Sequence, residues 1–194
     1  MLRELRVALS LLLLLSLLTG VAYPVLVTGI AQVVFPFEAN GSLLGPVQAP
    51  VGSALLGQAF GDAGHFWSRP SATAPQPYNG LASGGANLGP TNPALLEAVH
   101  SRVNALRASD PGNPLPVPLD LVTTSASGLD PHISPAAATW QVQRVARARH
   151  LQPSAVQALV QELVEPRTFG LFGEARVNVL QLNLALERRF PAKS

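Results

Sequence analysis

The stretch VALSLLLLLSLLTGVAYPVLVTGIAQVVFPF, Val7 to Phe37, holds thirty-one consecutive residues without a charge. About 20 apolar residues in a helix cross roughly 30 Å of hydrocarbon, so this stretch predicts a membrane span. Its densest part is Leu11–Leu15, and it stays apolar through Val25, Leu26, Val27, Ile30, Val33 and Val34. Pro24 lies inside it. In a membrane helix, proline removes one backbone hydrogen bond and bends the axis, yet the span survives.

A cleaved leader is the competing reading. Leu9–Leu18 would be its apolar centre, and Gly20-Val21-Ala22 supplies small residues for a cut. The chain then remains apolar for about fifteen further residues, which a cleaved product would expose to water. The expectation is therefore an uncleaved anchor. Arg3 and Arg6 precede it, and the next basic residue after it is Arg69. Positive charge stays on the cytoplasmic side. The expected layout is a cytoplasmic N-terminus (1–6), a transmembrane helix (7–34) and one domain outside the cytoplasm (35–194).

The whole chain has 194 residues, 47% hydrophobic and 12% charged, with net charge +2. Twelve arginines and one lysine, Lys193, raise the pI to about 9.7. The only basic cluster is Arg144, Arg147 and Arg149, which reads as a solvated helix face; no nucleic-acid surface is expected. The absence of cysteine excludes disulfides, thiolate nucleophiles and zinc–thiolate sites.

Beyond a Gly/Pro-rich linker at 38–53, Ser53–Phe60 (SALLGQAF) and His65-Phe66-Trp67 read as short strands around a turn at Gly61–Gly64. Residues 68–93 are dense in Ser, Pro, Gly and Asn, but Arg69, Tyr78, Asn79, Asn87 and Asn92 can tie the loop down by hydrogen bonds. Asn92-Pro93 and Ser134-Pro135 are cap-plus-proline helix starts. The predicted helices run from there to about Ala108 and about His150; a third opens at Pro153 and a fourth covers Val177–Phe190. Lacking a β–α alternation, the chain is expected to be α+β: one N-terminal transmembrane helix, then a helix-rich domain with a few short strands.

Few motifs carry chemistry. Ser83-Gly84-Gly85 with Asn87-Leu88-Gly89 lacks the lysine of a phosphate loop. Asp130, His132 and Ser134, with Ser127 nearby, suggest a hydrolase in which Ser127 or Ser134 is the nucleophile and His132 the base. The alternative is that Asp130 and Ser134 cap turns and helices while His132 donates to a carbonyl. No histidine pair has ligand spacing, so no metal site is expected.

Four segments together resemble a known family. They are GSALLGQAF with Arg69-Pro70-Ser71-Ala72, SGGANLGPTNPAL at 83–95, VPLDLVTTSASGLDPHISPAAA at 117–138, and FGEARVNVLQLN at 172–183. With the single N-terminal span they are similar to the KdpC family, the C subunit of the bacterial potassium-transporting P-type ATPase. The resemblance covers nearly the whole chain. It implies an inner-membrane complex with a channel-like potassium-binding subunit, a P-type ATPase subunit and a small membrane subunit. It also implies a non-catalytic accessory chain that assembles the complex and acts as a catalytic chaperone raising the ATPase subunit's affinity for ATP. The catalytic D-K-T-G motif is missing here. No tightly bound cofactor is expected, and ATP would be met only in a transient complex. Arg69, Asn87, Asp130, His132, Arg176 and Asn178 are the expected loop-network or interaction residues. Gly20, Ala22, Gly29 and Ala31 are the expected helix-packing residues of the anchor.

Overall fold

The computed structural model describes residues 2–191; Lys193 lies outside them. The chain divides into two compact units, Met1–Val51 and Gly52–Ser194.

In the first unit, Leu2–Val34 forms one 33-residue helical rod, α1, long and apolar enough to cross a membrane. It runs as α-helix over Leu2–Leu17 and Tyr23–Val34, with a π-helical turn at Leu18–Ala22 between them. Proline explains the turn. Pro24 has no N–H to return to the carbonyl four residues back, and the preceding backbone shifts to longer bonds, with Tyr23 N–H donating to the Leu18 carbonyl. The helix continues through the proline, as the sequence suggests. Past Val34, the one-turn helix α2 (Pro36–Ala39) is tied back to α1. Asn40 Nδ2 donates to Gln32 Oε1 at 3.1 Å and to the Pro36 carbonyl at 2.6 Å.

The second unit contains α3 (Pro93–Ser109), α4 (Pro135–Ala148), α5 (Pro153–Glu162) and α6 (Val179–Arg189). Their starts match the sequence signals, because each cap is local. Asn92 accepts from Ala94 N–H, and Ser134 accepts from Ala137 N–H. Helix α4 ends two residues before the expected His150. His150 is left-handed (φ 55°), and Leu151 N–H bonds the Ala146 carbonyl at 2.9 Å, a C-terminal closure that usually employs glycine. His150 is exposed. Replacing it with glycine should therefore stabilise the unit by about 1 kcal/mol, read as a rise of roughly 2–4 °C in melting temperature.

Three short antiparallel strands form the sheet: β1 (His132–Ile133), β2 (Val164–Glu165) and β3 (Arg176–Asn178), in the order β1-β3-β2. The register pairs Ile133 and Val164 with Val177, His132 with Asn178, and Glu165 with Arg176. Ile133 and Val177 point into the core beside Trp140, Val145, Val156, Val160, Leu182 and Leu186. The alternate face carries polar residues, as a strand's period of two dictates.

Several expectations are corrected. Val177 and Asn178 belong to a strand, and helix α6 begins only at Val179. Ser53–Phe60 is a turn and irregular chain past Ser53, and His65-Phe66-Trp67 is irregular rather than a strand. Its backbone is nevertheless paired, by side-chain amides. Asn183 accepts from Phe66 N–H (2.8 Å) and donates to Phe66 O (3.0 Å). Gln141 accepts from Trp67 N–H (2.7 Å) and donates to Trp67 O (3.1 Å). Two amides on helices thus replace a neighbouring strand, which satisfies buried peptide groups equally well.

Arg144 and Arg149 are not part of a solvated face, whereas Arg147 is exposed, as the sequence reading expects. Arg144 is 2% exposed and its guanidinium lies 4.1 Å over the Trp67 ring. It donates to the carbonyls of Asp62 (3.3 Å), Ala63 (2.8 Å) and His65 (3.0 Å). Arg149 bonds Glu187 and the Gly64 carbonyl, and Arg147 reaches the fully buried Asp110 at 2.9 Å. These arginines brace the 62–65 turn and the interior.

Candidate functional site

Loop 68–93 is ordered by its own side chains and by the loop at 123–131. The Tyr78 hydroxyl donates to the Arg69 carbonyl. Ser71 Oγ donates to the Gly128 carbonyl at 2.7 Å, and Gly84 N–H donates to the Ser127 carbonyl at 2.8 Å. Two glycines are dictated by this packing. A Cβ on Gly57 would strike the Tyr78 ring and come within 2.8 Å of the Asp130 carbonyl. Gly128 has φ 67° and sits against the Gly84 carbonyl.

At the centre is a chain of alternating basic and acidic side chains. Arg69 Nη1 donates to Asp130 Oδ2 at 3.2 Å, and its Nη2 donates to the Thr124 carbonyl at 3.3 Å. Asp130 Oδ1 accepts from His132 N–H at 3.0 Å and lies 3.3 Å from His132 Nδ1. His132 Nε2 is 3.9 Å from Glu165 Oε1, and Glu165 Oε2 accepts from Arg176 Nε at 2.9 Å. The fold therefore brings together Arg69, Asp130, His132 and Arg176. Asn178 is buried beside them; its side chain caps α6 through Gln181 N–H and donates to the Ala54 carbonyl. Asn87 stands apart, exposed and left-handed (φ 51°), on the wall of a separate cleft.

Two clefts open around this run, and a third lies beside the first. One of about 590 Å³ is lined by Leu55, Leu56, Thr124–Ser127 and Leu129–Pro131. A second, about 440 Å³, is lined by Leu119, Asp120, His132–Ser134 and Glu174–Arg176. The Arg69–Asp130 pair belongs to both walls. A third, about 320 Å³, lies between Gly85–Leu88 and Thr123–Ala126. Segments far apart in sequence thus share one clefted face.

Burial pushes the Asp130 carboxyl up, but hydrogen bonds from His132 and the charge of Arg69 outweigh it and hold it below the usual carboxylate range. Hydrogen bonding to Arg149 lowers Glu187 likewise. A depressed folded pKa contributes stability that is present above the unfolded value and lost as pH falls through the folded one. Melting temperature should stay level from pH 7 to about 5 and drop below about 4, near the ordinary Asp and Glu values. The drop should be shallower in Asp130→Asn.

The hydrolase arrangement does not form. Ser134 Oγ donates to Asp120 at 3.2 Å and accepts from Ala137 N–H at 3.0 Å. Ser127 Oγ accepts from Leu129 N–H at 3.1 Å. Among the described residues neither hydroxyl is bonded to His132, whose ring faces carboxylates rather than the expected carbonyl. Sequence reasoning missed Glu165, the carboxylate between His132 and Arg176. Its available signal is the repeated spacing Glu165-x-Arg167 and Glu174-x-Arg176 on either side of Phe169–Leu171, which reads as a hairpin with cross-strand ion pairs.

Comparison with known proteins gives one answer. A family model described as KdpC, K+-transporting ATPase, c chain, matches residues 5–188. The potassium-transporting ATPase KdpC subunit of Polaromonas naphthalenivorans is 62% identical over 190 residues, covering 98% of this chain and 97% of that one. The KdpC subunits of Methylibium petroleiphilum (61% over 187 residues; 96% and 98% covered) and Sorangium cellulosum (62% over 187 residues; 96% and 98% covered) are similar to it to the same degree. With the apolar helix and the clefted face carrying the motif segments, these matches place the chain in the KdpC family, the c chain of K+-transporting ATPases.

Proposed function

We propose that the chain is a non-catalytic accessory subunit of an ATP-driven, high-affinity potassium uptake complex. It spans the bacterial cytoplasmic membrane once through α1, with its N-terminus inside and the second unit outside. Its clefted face docks the channel-like and ATPase subunits and stabilises their assembly. The observation that carries this reading is the gathering of four sequence segments around Arg69–Asp130, each held by hydrogen bonds before any partner arrives. Such pre-organisation lowers the cost of binding. A chain placed in this way would raise the ATPase subunit's affinity for ATP by shifting its conformational populations through the membrane, because cytoplasmic ATP would lie on the opposite side. In α1, Gly20 and Gly29 leave open space around their backbones and, with Ala22 and Ala31, suit close approach of a partner helix.

Leu55 tests the docking surface cleanly, because it is 61% exposed at a cleft wall. Leu55→Glu should leave melting temperature unchanged and cut co-purification of the ATPase subunit about tenfold, the cost of burying one unpaired charge at an interface. Unchanged co-purification would remove this face from the docking surface.

A further inference from the structure

The hairpin between β2 and β3 ends in a tip whose role the clefts do not explain. Phe169 (φ 55°) and Gly170 (φ 73°) both lie in the left-handed region, within a three-residue loop closed by the pairing of Thr168 with Phe172. Gly170 N–H bonds the Arg167 carbonyl at 2.9 Å, and Thr168 N–H bonds the Phe172 carbonyl at 2.9 Å. Arg167 also pairs with Glu174 across the hairpin at 2.6 Å, one step beyond the Glu165–Arg176 pair. On this braced support Phe169 is 90%, Leu171 75% and Phe172 67% exposed. A left-handed Phe at the apex, with two more large apolar side chains beside it, does nothing for the unit's own core.

We infer that this tip is an apolar knob that inserts into a preformed hydrophobic pocket on a partner subunit of the transport complex. The inference rests on the accessory-subunit reading and adds a second contact to it. Three observations favour a protein pocket. The hairpin's last leg, Glu174–Arg176, is itself a wall of the 440 Å³ cleft, so knob and clefted face form one continuous surface. Its charges balance, Glu165 and Glu174 against Arg167 and Arg176, each paired across the strands. A tip that seeks anionic lipid needs surplus basic residues, and this one has none. Aromatic anchors ringed by polar groups are the usual centre of a protein–protein hot spot.

The test uses the full-length chain in its native membrane. A variant carrying Phe169→Ser, Leu171→Ser and Phe172→Ser keeps Gly170 and both ion pairs, so its melting temperature should match the wild type. Its co-purification with the ATPase and channel-like subunits should fall at least tenfold. Separately, a photoreactive phenylalanine analogue in place of Phe169 should cross-link to one partner subunit. A cross-link to phospholipid, or none to any subunit, would overturn the inference, as would full co-purification of the serine variant. If the wild-type chain itself brings down no subunit of a potassium ATPase, the accessory-subunit reading fails as well; failure of the variant prediction alone leaves that reading standing.

Discussion

A chain that begins at Glu38 should leave the membrane, fold as before and no longer support potassium transport. The truncation removes α1, the one helix among the described residues long and apolar enough to span. Insertion of such a helix is effectively irreversible, so its loss should move essentially all of the protein to the soluble fraction. Folding should survive, because every residue of the buried core lies between Phe66 and Leu186, inside the unit Gly52–Ser194. Melting temperature should match that of the parent chain, while potassium uptake falls to the level of cells lacking the subunit. Normal transport by pumps carrying the detached unit would show that α1 does no more than tether.

Replacing Arg144 with methionine should cost about 3–5 kcal/mol, the range for removing one member of a buried hydrogen-bonded charge network. Burial pushes its pKa down to about 10, against the pull of Asp110 and Asp62, so it stays protonated at neutral pH. Methionine fills much of the volume but donates nothing, leaving the Asp62, Ala63 and His65 carbonyls without this partner. Each such loss costs about 1–3 kcal/mol when the acceptor is buried, and the stacking on Trp67 disappears too. In a domain of this size the melting temperature should drop by roughly 10–15 °C. Arg188 is exposed on the last turn of α6, and Arg188→Met should change stability by less than about 0.5 kcal/mol. Equal effects at the two positions would contradict the buried brace.

What the sequence revealed and what it hid divide along range of interaction. Caps at Asn92 and Ser134 and the break at Pro24 were legible because they act within a few residues. The strands at His132, Val164 and Arg176 were not, since two- and three-residue strands exist only through partners elsewhere in the chain. Phe66 and Trp67 read as a strand, and their backbone is paired, but by amides of Asn183 and Gln141. Arg144 looked solvated because its acceptors lie about eighty positions away. At the site, Arg69, Asp130, His132 and Arg176 were nameable from the motif segments. Their order in a chain of basic and acidic side chains required Glu165, which no motif singled out.

Coverage of the motif face by partner subunits outside the cytoplasm can be read by cysteine labelling. The chain has no native cysteine, so single probes report without background. Ala126→Cys places a thiol at the wall shared by two clefts, and Ser154→Cys places one at an exposed position on α5. A membrane-impermeant maleimide, applied from outside, should label Ser154→Cys at the same rate with or without the partner subunits. It should label Ala126→Cys at least tenfold more slowly when they are present. Equal labelling of Ala126→Cys in both cases, or no labelling of Ser154→Cys until the membrane is permeabilised, would contradict the account.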